Sequence, residues 1–259
     1  MLSSVLQQLH QHHFTTLLLH ISALLLLTIS PLFATAIGIN YGQIANNLPS
    51  PQQAVPLVKS TGVNKLKLYD ANPTVLKAFA NTGITFTLSW NFGGVTLGIG
   101  NEYLTKLQDP SAAENWIQCN VKPYLSTTKI TSIAIGNEVL TSNDTSLSGC
   151  LLPALENIHS ALVKFKLDQK ITVTTAHSLS VMETSYPPSS GTFRTDLNGV
   201  MSPVLDFLAK TCSSFLINAY PFFAFERNPK DVSLDFVLFQ PNAGVVDSGN
   251  NLRYDNMLR

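Results

Sequence analysis

The residues that could do chemistry gather at the ends of short apolar runs. The sharpest case is Ile133-Ala134-Ile135-Gly136-Asn137-Glu138, where small and apolar residues give way to an amide and a carboxyl. Such a run reads as a buried strand, with Gly136 freeing the backbone so that the Asn-Glu pair projects from its mouth. A carboxyl leaving an apolar strand is partly desolvated, which favours its protonated form. A general acid working near neutral pH needs that property. The adjoining Asn137 amide can bond a hydroxyl next to a scissile bond. Two other readings of Glu138 stand beside this one: a cap for a following helix, or the partner of a lysine.

Asn40, Tyr41, Asp70, His177, Asn218 and Tyr220 close other runs of the same kind. No metal or cofactor is implied. His159 and His177 are the only histidines after residue 36, and no ligand spacing accompanies them. Neither Gly38–Gly42 nor the glycine-rich stretch 93–100 matches a dinucleotide fingerprint or a P-loop. Cys119, Cys150 and Cys212 form an odd set without C-x-x-C, which predicts buried free thiols rather than a disulfide framework. Asn143-Asp144-Thr145 is an N-glycosylation sequon and predicts an exposed loop.

The elements that must position these residues recur as strand then helix. Strands are predicted at Ile37–Gly42, Lys65–Asp70, Thr85–Ser89, Ile130–Glu138, Ile171–Ser178 and Phe215–Tyr220. Helix-length stretches lie between them at Pro51–Ser60, Thr74–Ala80, Ala112–Tyr124, Leu151–Phe165 and Pro203–Lys210. Pro51 and Pro153 are placed early in their helices, where a missing N–H costs little. Alternating strands and helices indicate an α/β fold with a parallel sheet. Chemistry spread over many strand ends favours a (β/α)8 TIM barrel over a doubly wound sheet. About six of its eight βα units are visible, so the barrel is incomplete.

Of the 259 residues, 45% are hydrophobic and 12% charged, with 16 basic against 16 acidic side chains. That neutral balance excludes the basic stripe of a nucleic-acid binder, and the hydrophobicity excludes intrinsic disorder. Met1–Ala36 reads as a secretory signal peptide: an apolar run from Phe14 to Ile29, then Pro31 and the small-x-small site Ala34-Thr35-Ala36. His20 interrupts the run, which argues against a membrane anchor. A soluble, exported chain beginning at Ile37 is expected.

Several segments together resemble the plant glucan endo-1,3-β-glucosidases of glycoside hydrolase family 17. They are Ile37-Gly-Ile-Asn-Tyr-Gly-Gln43, Asn46–Pro51, Lys67-Leu-Tyr-Asp70, Ile135-Gly-Asn-Glu-Val-Leu140 and Thr174-Thr-Ala-His177. Glu183–Pro188, Phe215–Phe222, Leu234–Phe239 and Tyr254–Met257 continue the likeness, which covers residues 37–259. The resemblance implies a barrel with a groove that binds 1,3-β-glucan, of the callose or laminarin type, and cuts it internally with retention. It implies that Glu138 is the acid/base and Asn137 the adjacent sugar-binding amide. Tyr41, Tyr220 and Phe223 match aromatic positions near the groove, and His177 and Asn218 are substrate or supporting contacts. A monomeric glycoprotein of the extracellular space or cell wall follows, active in defence or carbohydrate metabolism, with a lipid anchor only in a longer form.

Two departures from the family bear on activity. Retaining glycosidases need a second carboxylate about 5–5.5 Å from the acid, and the family's nucleophile motif, Glu-(Thr/Ser)-Gly-Trp-Pro, does not occur. Glu102, Glu114, Glu156, Glu183 and Glu226 match no seventh-strand position, and Asp70 is a poor substitute. The chain is therefore expected to lack its nucleophile, and a catalytically inactive glucan-binding or regulatory form is the alternative function. The second departure is an insertion, Ser89–Thr96, ahead of Gly98-Ile-Gly-Asn-Glu102; Thr87-Leu88 is echoed by Thr96-Leu97. An unclosed sheet would also leave strand edges bare.

Overall fold

Residues 37–83 and 94–257 are described in the structure, a computed structural model. Six parallel strands form one sheet in unbroken chain order: β1 (Gly38–Tyr41), β2 (Lys65–Leu68), β3 (Gly94–Ile99), β4 (Ile130–Asn137), β5 (Thr172–Ser178) and β6 (Leu216–Asn218). A doubly wound sheet would reverse its order at a switch point. This sheet instead curls into part of a (β/α)8 barrel. The connecting helices are α1 (Pro51–Ser60), α2 (Pro73–Ala78), α3 (Pro110–Asn120), α4 (Ser148–Lys164) and α5 (Asn198–Lys210), and α6 (Pro221–Arg227) follows β6.

The first three helices start by one device, a polar cap followed by proline. Ser50, Asn72 and Asp109 accept from the backbone N–H of Gln53, Thr74 and Ser111, and Pro51, Pro73 and Pro110 come next. The cap satisfies an orphan donor, and proline lacks the N–H that would be orphaned beside it.

Strand register sorts the side chains. Leu66, Val95, Leu97, Ile133 and Val173 fall on one face and are buried beneath the helices, with Leu76, Ile117, Leu155, Ile158 and Val204. Lys65, Lys67, Thr96, Ser132, Thr172 and Thr174 alternate with them and face the lumen. Beyond the sheet, Asp247 accepts from the Ser189 N–H at 2.7 Å and hydroxyl at 2.6 Å, tying the hairpin Val245–Asp247/Leu252–Tyr254 to the turn Pro188–Ser190. The Ser189 hydroxyl, opposed by burial, holds that carboxyl below its ordinary range.

The third strand is not where the sequence pattern put it. Thr85–Ser89 lies outside the described residues, and the slot between β2 and β4 is filled by Gly94–Ile99. Gly94, Val95 and Thr96, expected in an inserted loop, are strand. Gly98 supplies a reason: a Cβ there would sit 2.5 Å from the Tyr69 carbonyl carbon and oxygen. Aligning Thr87-Leu88 with this slot would set a serine, Ser89, against that backbone. Gly98→Ala is expected to cost about 2–3 kcal/mol. Urea unfolding measures it, and an unchanged midpoint would mean that β2 and β3 can part there freely.

Two smaller expectations are corrected. Pro153 is interior to α4, which begins earlier, at Ser148, so the helix forgoes a bond to the Gly149 carbonyl. The thiols are free but not buried: Cys119 and Cys212 are exposed and Cys150 is half-buried. Met1–Ala36, expected to be a leader, lies outside the described residues.

Candidate functional site

The site begins with a one-residue slip in the sheet. Ala134 pairs with Thr174, but Asn137 pairs with Ala176, so β4 carries an extra residue between them. Gly136, at φ 67°, takes up the bulge. Plain alternation would put Asn137 on the face of Ile133 and Ile135, under the helices. The bulge turns it onto the Ala176 face, toward the lumen. Glu138 follows at φ 56° and ψ 32°, a left-handed conformation that costs a non-glycine residue about 1 kcal/mol or more. Its N–H donates to the Ala176 carbonyl at 2.7 Å, which holds it there.

The carboxylate of Glu138 is half-buried and accepts from Asn218 Nδ2 at 2.6 Å. The same nitrogen donates to Asn137 Oδ1 at 3.1 Å. Three predicted residues, Asn137, Glu138 and Asn218, thus converge from the lumenal ends of β4 and β6, although 80 residues separate Glu138 from Asn218. The cap reading of Glu138 fails, and its carboxylate acts on a lysine, Lys67, only at a distance beyond an ion pair. Glu138 stands at the N-cap of the short turn Val139–Thr141, yet its side chain makes no cap bond. Among the described residues it joins no ion pair.

Two residues of the site were not singled out in the sequence. Asn101 grips the bulge from β3's side: its Oδ1 accepts from the Asn137 N–H at 2.7 Å, and its Nδ2 donates to the Asn137 carbonyl at 3.1 Å. The amide replaces the ladder bonds that the bulge interrupts. The other is Lys67, on the lumen face of β2, with Nζ 5.2 Å from the centre of the Tyr69 ring. Burial holds its ammonium below the ordinary value, and the charge of Glu138 pulls it part of the way back. The sequence signal for both was available: Asn101 lies in the glycine-flanked Gly98–Glu102 segment, and Lys67 alternates with apolar Leu66 and Leu68.

The remaining predicted residues are placed as follows. Tyr220 and Phe223 are exposed at the start of α6, just past Asn218, with ring centres 5.7 Å apart. They form an open aromatic ledge beside the site. Tyr41 turns to the helix side and packs edge-on against Phe79 at 5.5 Å, where burial raises its phenol pKa. His177 is also on the helix side, level with Ile217, and is 0% exposed. It stacks on Phe215 at 5.0 Å, and neither ring nitrogen has a partner. That burial lowers its pKa to about 4. Asn143 is exposed in the turn ahead of Thr145–Leu147. Among the described residues no cluster of His, Cys, Asp and Glu could hold a metal ion.

Comparison with known proteins gives this geometry its setting. The chain is 55% identical over 251 residues to glucan endo-1,3-beta-glucosidase 11 of Arabidopsis thaliana, covering 97% of this chain and 56% of that protein. Over 221 residues it is 42% identical to a glucan endo-1,3-beta-D-glucosidase of Olea europaea, covering 85% and 46%. Among solved structures, CJP38, a beta-1,3-glucanase and allergen of Cryptomeria japonica pollen, superposes with a TM-score of 0.77 at 38% identity, covering 86% of this chain and 66% of that one. The chain spans about half the length of the curated relatives it matches. Residues 37–259 match the family described as glycosyl hydrolases family 17, and with six strands in barrel order and that match, the chain belongs to it.

Proposed function

We propose that the chain acts on 1,3-β-glucan, with Glu138 as the general acid/base of an endo-hydrolysis that retains configuration. The bulge-turned Asn137–Glu138 pair, bonded to Asn218 at the lumenal strand ends, carries this reading. Protonated, Glu138 gives its proton to the leaving glycosidic oxygen; ionised, it activates water. Asn137 and Asn218 orient it and offer amides to sugar hydroxyls, and the Tyr220–Phe223 ledge suits the apolar face of a pyranose. The setting proposed is an exported, monomeric glycoprotein of the extracellular space or cell wall, with its leader removed and a glycan on Asn143.

Retention requires a partner carboxylate on the opposite face of the sugar. Among the described residues the site supplies an amide and a lysine instead. Glu114 is paired to Lys164 on the outer helices, Glu183 lies in a small hairpin, and Asp70 accepts from the Asn72 N–H. This favours a second reading, a glucan-binding form without turnover of its own.

One experiment separates the two. The secreted protein is sedimented with insoluble 1,3-β-glucan, and its action on laminarin is followed by the chain length of the products and by mass spectrometry, which detects free reducing sugars and glycosyl azides alike, with and without sodium azide. Azide can stand in for a missing carboxylate: the bond from the anomeric carbon to oxygen breaks, a bond to azide nitrogen forms, and Glu138 protonates the departing oxygen. Retention on the glucan with cleavage only in azide is expected. Cleavage without azide would mean that the chain holds its own nucleophile. Neither retention nor cleavage would overturn the reading.

A further inference from the structure

Asn101 and Asn218 hold the Asn137–Glu138 pair by neutral amides. A charge reaches Glu138 from β2. Lys67 alternates with buried Leu66 and Leu68, so its side chain points into the lumen. Its ammonium lies 5.2 Å from the centre of the Tyr69 ring, two residues further along the same strand. Tyr69 passes beside Gly42 and Gly98, near the strand ends where Glu138 stands. The ring thus draws Nζ up the lumen toward the carboxylate.

The two charges act on one another. The carboxylate of Glu138 favours the protonated form of Lys67, against the burial that disfavours it. Coulomb attraction is mutual, so the ammonium favours the ionised form of the carboxyl by the same energy. Lys67 forms no ion pair with any acid among the described residues. The other titratable groups on the surrounding elements are placed differently. Asp70, past the end of β2, is taken up by Gln43 and the Asn72 N–H. Glu102, past β3, folds its carboxyl back over Gly100. His177 is buried on the helix side of β5, and Glu183 follows in the small hairpin. Tyr220, past β6, is exposed, and Lys65 stands one alternation further from the mouth than Lys67.

We propose that Lys67 is a positioning residue for the acid/base: its ammonium, held over Tyr69, sets how readily Glu138 gives up its proton. This rests on the reading of Glu138 as acid/base. Retaining hydrolysis uses that carboxyl in both forms, first as the acid that releases the glycosidic oxygen and then as the base that activates water. Burial favours the acid form and a nearby ammonium the base form, so the two together keep both within reach.

The test follows azide-supported cleavage of laminarin, measured as glycosyl azide, across pH in the native chain, Lys67→Met and Lys67→Arg. Cleavage by azide needs the protonated carboxyl, so its rate falls on the alkaline side as Glu138 ionises. Lys67→Met is expected to carry that alkaline limb about 0.5 higher in pH, roughly a threefold gain in rate on the slope. Lys67→Arg should leave the limb where it is. Lost packing alone would lower the rate at every pH without moving the limb. Carbon-13 resonances of the glutamate carboxyls, with that of Glu138 identified by its absence in Glu138→Gln, follow the same proton without turnover. In Lys67→Met the Glu138 resonance should titrate about 0.5 higher in pH than in the native chain or Lys67→Arg. A resonance that stays in place in Lys67→Met would overturn the proposal, with or without cleavage. A resonance that moves in a chain showing no azide-supported cleavage would uphold the action of Lys67 on that proton and remove the acid/base reading alone.

Discussion

Glu138→Gln is expected to lower azide-supported cleavage of laminarin by about 10²–10⁴-fold, the usual share of a general acid. Glutamine keeps the shape and still accepts from Asn218 Nδ2, which now meets Glu138 Oε1 at 2.6 Å. The bulge and the left-handed residue should therefore survive, and sedimentation with glucan should stay as it was. What the variant loses is a proton of suitable acidity. An aryl glycoside of the same sugar makes the test specific, because a phenolate departs with little protonation. The loss should shrink to a small factor on that substrate. An equal loss on both would assign Glu138 a structural role, and no loss on either would remove it from the mechanism.

His177 makes the stability of the fold depend on pH. Its imidazole is buried, unpartnered and held to a pKa of about 4 by desolvation, whereas in the unfolded chain it titrates near 6.5. Between those values the unfolded state binds the extra proton, so its contribution is present above about pH 6.5 and is lost as the pH falls toward 4. The shift is worth about 2.5 kcal/mol between pH 7.5 and pH 4.5. His177→Phe preserves the ring stacked on Phe215 and cannot charge. Urea unfolding of both proteins at the two pH values should show the native chain losing about 2.5 kcal/mol more than the variant. Equal losses would show that His177 is protonated in the fold without penalty.

Much of the architecture was legible because it rests on local chemistry. Ser50-Pro51 fixes the start of α1 at the predicted residue. The apolar alternation through Leu66 and Leu68 marks β2, and the continuous run Ile133–Ile135 marks a strand buried in the sheet. The third strand failed for a physical reason. Two stretches of similar strand character stood in tandem, and Gly98 passing close to the Tyr69 backbone favours the second. Pro153 misled in the same way: packing along Leu151, Leu155 and Ile158 carries α4 past a residue that would end an isolated helix.

The site divides along a similar line. That Asn137 and Glu138 stand together at a strand mouth, with an aromatic segment at 220–223 elsewhere, follows from residue type and order, as does membership of the family. Which way they point does not. Strand alternation alone sends Asn137 under the helices, and only the slip against β5, taken up by Gly136 and gripped by Asn101, turns it to the lumen. The same register sends His177 and Tyr41 to the helix side, though Tyr41 ends its strand as Asn137 does and His177 stands one residue short of its strand's end. A strand's side-chain period is two, so one residue of register decides between lumen and core. Pairing between strands sets that register, and it is a property of the folded sheet.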